Sequence, residues 1–415
     1  MKLKYAVMRM TAIIVLSISY TITVLLSKIL KRTKMRKRIS NRILVIATFH
    51  NPNWFYSHIE PLALSGIREV VLVCDHPIGR INGVRYYCPS KLLSAIFSRA
   101  GAKFLWAIIC GFKYKPDLYI GYHIFPAGIS ALIIARIFNR PACYQVTSGP
   151  LELEGGGWHA ENRVLAALGK PSALVENLVL RVVKEFDLVV VRGSKAEKFI
   201  RNAGYAKKIA IITGSIKNQE EWLDMRKREI DMVFIGRLTE HKRPDRFISI
   251  IANVVDKYPN LKAVIVGEGP DKEELINKVK EIGVANNVEL LGKRNDVLKI
   301  LANSKIYVLT SRWEGVSIAM LESMATGTVP VVADVGDLGD IVYDGINGFI
   351  IQEDLTDVFS NRIIELLSNE ALWETLSKSA VSTATKVSRL ESVSKLWEKH
   401  LFTTINELDE VPSVG

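Results

Sequence analysis

Ile306-Tyr-Val-Leu-Thr310, then Ser311-Arg-Trp-Glu314-Gly315-Val316-Ser317-Ile-Ala-Met-Leu-Glu322, then Val329-Pro-Val-Val-Ala333 is the stretch that decides the fold. An apolar, β-branched run leads into a polar loop. A helix capped near Ser317 follows, and a second apolar run closes the segment. Two such runs joined through a helix make a parallel strand pair. The runs are near-continuously apolar rather than alternating, so both faces of the sheet must be covered.

The same rhythm extends outward in both directions. Upstream, Met232–Ile235, Lys262–Val266 and Val288–Leu290 read as strands with helical segments between them. Further back, Ile43–Thr48, Val70–Cys74, Leu118–Ile120, Ala142–Thr147 and Leu188–Val191 repeat it, with an apolar helix at about 127–138. The charged stretch 217–229 carries no strand signal and separates two similar halves. At 415 residues the chain exceeds one compact core. The expected architecture is α/β, with two doubly wound Rossmann-like domains at 41–216 and 230–385 facing a cleft and joined by the 217–229 linker. An N-terminal membrane-anchor segment is expected at 1–40. Residues 386–415 read as a helix and tail able to cross back to the N-terminal domain. Ligands in such sheets bind beyond the carboxyl ends of the strands, and the cleft is the natural active site.

A net charge of +12 raises nucleic acid as a partner, but its distribution argues against one. Residues 1–42 hold eleven Lys or Arg and no acidic residue, leaving 44 basic and 43 acidic residues in the remainder. Between Arg9 and Lys28 lie eighteen uncharged residues, close to the shortest stretch that spans a bilayer. A transmembrane anchor, an in-plane interfacial helix and a signal peptide are the three readings. Absence of a small-x-small cleavage site and the positive charge after the apolar run disfavour the third. The positive flank puts the body on the cytoplasmic side and attracts anionic headgroups. Cys74, Cys88, Cys110 and Cys143 have no metal-like spacing and are expected to be reduced.

Four segments carry chemistry. Phe234-Ile-Gly-Arg237-Leu-Thr-Glu-His-Lys242-Arg-Pro244 leaves a strand through Gly236, and its two cations stand beside a helix start, where a diphosphate would sit. Val266-Gly267-Glu-Gly-Pro270 lets backbone approach a ligand. Glu314 lies in its loop and Glu322 inside the helix, so both can face one hydroxyl-rich ligand; a capping and a solvated glutamate would fit the same residues. Asp334-Val-Gly-Asp-Leu-Gly-Asp340 exposes amides, and Gly345 and Gly348 mark an ordinary turn.

Taken in order, these segments resemble glycosyltransferase family 4, a retaining family with the GT-B fold. The resemblance is strong over about residues 230–352. It implies that Arg237 and Lys242 hold the diphosphate of a nucleotide sugar. Glu322 would bind the ribose, Glu314 the sugar, backbone near Arg294 the base, and the Gly315, Val316, Ser317 turn and Gly267 the rest of the donor. Gly121-Tyr-His123-Ile-Phe-Pro-Ala-Gly128 looks like the family segment whose histidine lies beside the transferred sugar. The loop His50-Asn-Pro-Asn-Trp54 lacks the family's paired glycines, and Ser317 stands where Gly or Pro is usual. Glycines appear instead at 155–157.

The resemblance implies transfer of a hexosyl group, with retention, to a glycan or lipid-linked acceptor at the membrane. No cofactor and no metal are expected, because two cations and a helix N-terminus supply the charge for the leaving diphosphate. A sugar-nucleotide epimerase on the same fold and a non-catalytic membrane scaffold are the competing readings.

Overall fold

The computed structural model describes residues 2–30, 40–49, 51–159, 162–216, 228–352 and 355–406. His50, the basic cluster at 31–38 and most of the expected linker 217–229 lie outside the described residues. The chain divides into two units, Met1–Ser215 with Leu390–Gly415, and Ile216–Arg389.

The first unit runs α1 (Lys2–Ile29), β1 (Arg42–Ile46), α2 (Pro52–Ala63), β2 (Glu69–Val73), β3 (Val84–Tyr87), α3 (Lys91–Tyr114), β4 (Leu118–Tyr122) and α4 (Ile129–Ile137). It continues through β5 (Ala142–Gln145), α5 (Arg163–Ala166), α6 (Ala173–Glu185), β6 (Leu188–Val191), α7 (Ser194–Asn202) and β7 (Lys208–Ile211). All pairings are parallel, in the order β3-β2-β1-β4-β5-β6-β7. Period-two alternation explains how one strand serves two helical layers. Leu44 and Ile46 pack with α3, α4 and α6 on one face, and Ile43 and Val45 pack with α2 on the other.

The second unit holds β8 (Ile230–Ile235), α8 (Pro244–Val255), β9 (Ala263–Val266), α9 (Lys272–Ile282), β10 (Val288–Gly292), α10 (Val297–Ala302), β11 (Ser304–Leu309) and α11 (Ile318–Ala325). It ends with β12 (Val329–Ala333), β13 (Phe349–Ile351), α12 (Thr356–Ser368) and α13 (Glu370–Ser388). Its parallel order is β10-β9-β8-β11-β12-β13. In each sheet the order reverses once, between β1 and β4 and between β8 and β11. Those are the positions where crossover helices depart to opposite faces and leave a crevice at the strand ends.

Several elements depart from the sequence reading. β3, β7 and β13 were not expected as strands; they are edge strands, short and only partly buried along β3 and β7, so their apolar signal is weak. Residues 52–54, read as loop, form the first turn of α2, with Asn51 as N-cap and Pro52 opening the helix. The apolar helix α1 lies along the first unit, burying Ala12, Leu16, Tyr20, Thr23 and Ser27 against α4 and α6.

The chain's last described helix, α14 (Leu390–Asn406), belongs to the first unit and packs on α2. Val393, Trp397, Leu401 and Ile405 form its buried stripe, among Ile43, Phe55 and Ile59. Trp397 is 1% exposed. Trp397→Ala should therefore destabilise this unit by about 3–5 kcal/mol, measured by denaturant unfolding monitored through hydrogen exchange of β1 and β4; unchanged exchange there would show that α14 contributes little.

Candidate active site

The switch point of the second unit gathers four loops, those after β8, β9, β11 and β12. Gly267 adopts φ +150°, and a side chain there would collide with the Gly236 carbonyl, so the loops after β9 and β8 touch backbone to backbone. Gly336, at φ +53°, fits against the Glu314 carbonyl in the same way. The loop after β8 makes a short turn at Glu240–Lys242 and passes through Arg243 with φ 53°, an uncommon conformation for a residue with a side chain. Thr310, at the end of β11, fixes that turn by donating its hydroxyl to the Arg243 carbonyl at 2.8 Å. The Arg312 amide donates to the His241 carbonyl at 2.8 Å, and the His241 and Trp313 rings stack.

These ties bring the Lys242 ammonium onto the Glu314 carboxylate in a direct ion pair. The same oxygen accepts the Ser311 hydroxyl at 2.6 Å. Both side chains are mostly enclosed, 18% and 10% exposed. Val316 buries its side chain in the core and so pins the Gly315–Ser317 turn from beneath. Ser317 caps α11, its hydroxyl accepting the Met320 amide at 3.3 Å. Glu322 follows in α11, 8% exposed. Tyr307 on β11 lies near both carboxylates. Burial lifts its phenol above the ordinary range, and the charge of Glu314, then that of Glu322, adds to the effect.

Arg237 is exposed on the loop after β8. Arg294, after β10, turns its guanidinium to Asp296 in a two-pronged pair of 2.8 and 2.7 Å, so its side chain is held at the surface beside the backbone of 293–294. Among the described residues no group of three or more His, Cys, Asp or Glu could hold a metal ion.

His123 sits at the other switch point, following β4 in the first unit, with φ 62° and 36% side-chain exposure. A buried network that the sequence reading missed sets its ring. Glu152 accepts the Ile124 amide and the Tyr144 hydroxyl on one oxygen, and the Thr147 amide, the Thr147 hydroxyl and the Ser148 amide on the other, all within 3.2 Å. Since the Thr147 hydroxyl gives its one proton to Glu152, it accepts from His123 Nδ1 at 2.8 Å. Burial opposes the Glu152 charge, but His123 and these donors outweigh it and hold the carboxyl at about 2. A Glu a few residues beyond β5, just after Thr147-Ser148-Gly149, was the available signal. The Gly155–Gly157 turn is structural: the Gly155 amide donates to Glu176 at 2.5 Å, and a Gly156 side chain would meet Val175.

Residues 215–383 match the family model for glycosyl transferases group 1. The chain is 29% identical over 191 residues to the Escherichia coli UDP-Gal:alpha-D-GlcNAc-diphosphoundecaprenol alpha-1,3-galactosyltransferase, covering 44% of this chain and 46% of that protein. It is 24% identical over 176 residues to the Bacillus anthracis N-acetyl-alpha-D-glucosaminyl L-malate synthase, covering 42% of this chain and 46% of that protein. The chain thus spans about half the length of the curated relatives it matches. Among solved structures, Anabaena Alr3699/HepE in complex with UDP superposes with a TM-score of 0.68 at 16% identity, covering 87% of this chain and all of that one. The sucrose-phosphate synthase of Thermosynechococcus elongatus superposes at 0.70 with 17% identity, covering 90% of this chain and 100% of that one.

Two outcomes follow from the geometry. Gly336→Ala should strain the turn and push on Glu314, costing about 1–3 kcal/mol of second-unit stability in thermal unfolding. For Glu152 the folded carboxyl lies below its ordinary value, so its contribution is fully present above about pH 4.5 and is lost as pH falls toward 2. Glu152→Gln should flatten first-unit stability across that window in acid titrations; an unaltered profile would contradict the network. Residues 215–383 carry the group 1 glycosyl transferase pattern, on a chain whose two parallel α/β units have the GT-B fold.

Proposed function

We propose that the protein is a glycosyltransferase that moves a hexosyl group from a nucleoside diphosphate sugar to a hydroxyl of a membrane-associated glycan or lipid-linked acceptor, with retention. The observation that carries this reading is the convergence at one switch point of Lys242, Glu314 and the N-terminus of α11, with Glu322 in that helix, inside the segment that matches the family model. A crevice of this kind, with two cations on one loop and helix amides on the next, suits a diphosphate.

In the proposed reaction the bond between the sugar's anomeric carbon and the diphosphate oxygen breaks, and the acceptor hydroxyl oxygen bonds to that carbon. The hydroxyl proton passes to the departing diphosphate, and the nucleoside diphosphate leaves as an anion. Arg237 grips its oxygens with a planar fork, and Lys242 supplies a compact charge. The backbone amides of the Gly315-Val316-Ser317 turn face the same oxygens. Charge that develops on the leaving group is thereby met by groups already in place. Glu314 holds the Lys242 ammonium at the point where the diphosphate arrives, and then contacts the sugar. Glu322 accepts the ribose hydroxyls, Gly267 lets the donor lie close to backbone, and the 293–294 backbone meets the base. For His123 the resemblance implies a place beside the transferred sugar. No metal or cofactor is proposed, since Arg237 and Lys242 provide the charge.

Support for the donor class is the UDP bound in the HepE structure. Support for the acceptor class is the name of the E. coli relative, whose acceptor is a diphosphoundecaprenol-linked sugar. A membrane location with a cytoplasmic body fits the basic, acid-free segment 1–42.

Thermal unfolding of the full chain in detergent with UDP-, GDP- and ADP-sugars tests the donor site. One nucleotide sugar should stabilise the protein, by about 2.7 kcal/mol at a hundredfold excess over Kd. Lys242→Ala and Glu322→Ala should each abolish most of that gain. Undiminished stabilisation in both variants would move the donor elsewhere.

A further inference from the structure

We propose that α1 and α3 together form an in-plane membrane face, with both helices lying in the headgroup region of an anionic bilayer and neither crossing it. α1 is apolar on both faces. It turns Ala12, Leu16, Tyr20, Thr23 and Ser27 inward and presents Ile14, Val15, Ile18, Ile22, Leu25 and Ile29 outward. A helix that is apolar all round needs cover on its outer stripe as well as its inner one.

Crossing is opposed by what α1 is fastened to. Arg9 donates to the Pro171 carbonyl at 3.4 Å and Ser27 to Glu185 at 3.0 Å, so the apolar stretch runs beside α6 from end to end. Were α1 to cross the bilayer so docked, Glu176, Arg181, Lys184 and Glu185 would be carried to hydrocarbon depth, where ionised side chains are strongly disfavoured. Lying flat avoids that cost.

α3 supplies the second half. It connects β3 to β4 in a parallel sheet, so it must pack on the sheet and cannot stand across a membrane. Ala107, Cys110 and Tyr114 make that packing. On its open side Leu92, Ile96, Phe97, Ile109 and Phe112 are exposed. A break at Ser98 sets the first two turns off from the rest, leaving Leu92, Ile96 and Phe97 prominent. α4 lies between α1 and α3 on the same face of the sheet. Charge favours an anionic surface: neither helix contains an acidic residue, whereas Lys4 and Lys28 flank the α1 stripe and Lys91, Arg99 and Lys113 lie exposed on α3. Amphipathic helices with this composition bind in the interface plane, more tightly when the lipid is anionic.

The test uses the full chain and no sugar chemistry, so its failure is separate from failure of the proposed transfer. Sealed vesicles of phosphatidylcholine with or without phosphatidylglycerol are loaded with protein from outside. Binding should require the anionic lipid, and the double variant I96E/F97E should weaken it about tenfold or more with an unchanged unfolding midpoint. Tyr5→Cys should react with a membrane-impermeant maleimide from outside, beyond the level of the parent protein. Reaction only after the vesicles are opened would show that α1 crosses. Binding that ignores I96E/F97E, or no binding to either vesicle, would likewise overturn the proposal.

Discussion

Parallel strand pairing is the constraint on which the rest of this protein depends. Each parallel neighbour demands a crossover, each crossover covers a face, and the strand carboxyl ends of one sheet all open on the same edge. Where the order reverses, between β8 and β11, two adjacent loops part toward opposite faces. That is why residues separated by some seventy positions, Lys242 and Glu314, meet as an ion pair. The same reversal between β1 and β4 lifts His123 to the edge of the first unit.

The site is set by short-range fixing laid over that topology. Thr310 holds the Arg243 turn, the Arg312 amide reaches back to His241, and Val316 anchors the loop that carries Glu314. Glycines appear where loops touch backbone to backbone, at Gly267 and Gly336. Removing the cation from an enclosed pair such as Lys242–Glu314 leaves a carboxylate that, among the described residues, keeps the Ser311 hydroxyl as its hydrogen-bond donor, which costs more than the pair contributes. The polar network under His123 follows the same logic with five donors on one buried carboxylate.

Most central strands were legible because burial on both faces leaves long apolar runs; Leu188–Val191 and Val329–Ala333 were read to the residue. Three of the four edge strands, β3, β7 and β13, were not, although β10 was; a short strand with one neighbour needs less apolar character. Pro52 was read as loop although its missing amide suits a helix start. In the candidate site, Arg237, Lys242, Glu314 and Glu322 stood out as charges beside glycine-containing turns at strand ends. Glu152 did not, because its partners are backbone amides and hydroxyls that only the folded loop assembles. The inward face of α1 was also illegible: eighteen uncharged residues say nothing about which side a neighbouring helix will cover.

A crystal structure of the full chain with a bound nucleoside diphosphate tests the central claim most directly. The diphosphate is expected beside Arg237, Lys242 and the first amides of α11, with the Lys242 ammonium drawn from Glu314 toward the phosphate oxygens. A diphosphate bound at any other strand edge, or one bound here with Arg237 and Lys242 both turned away, would contradict it.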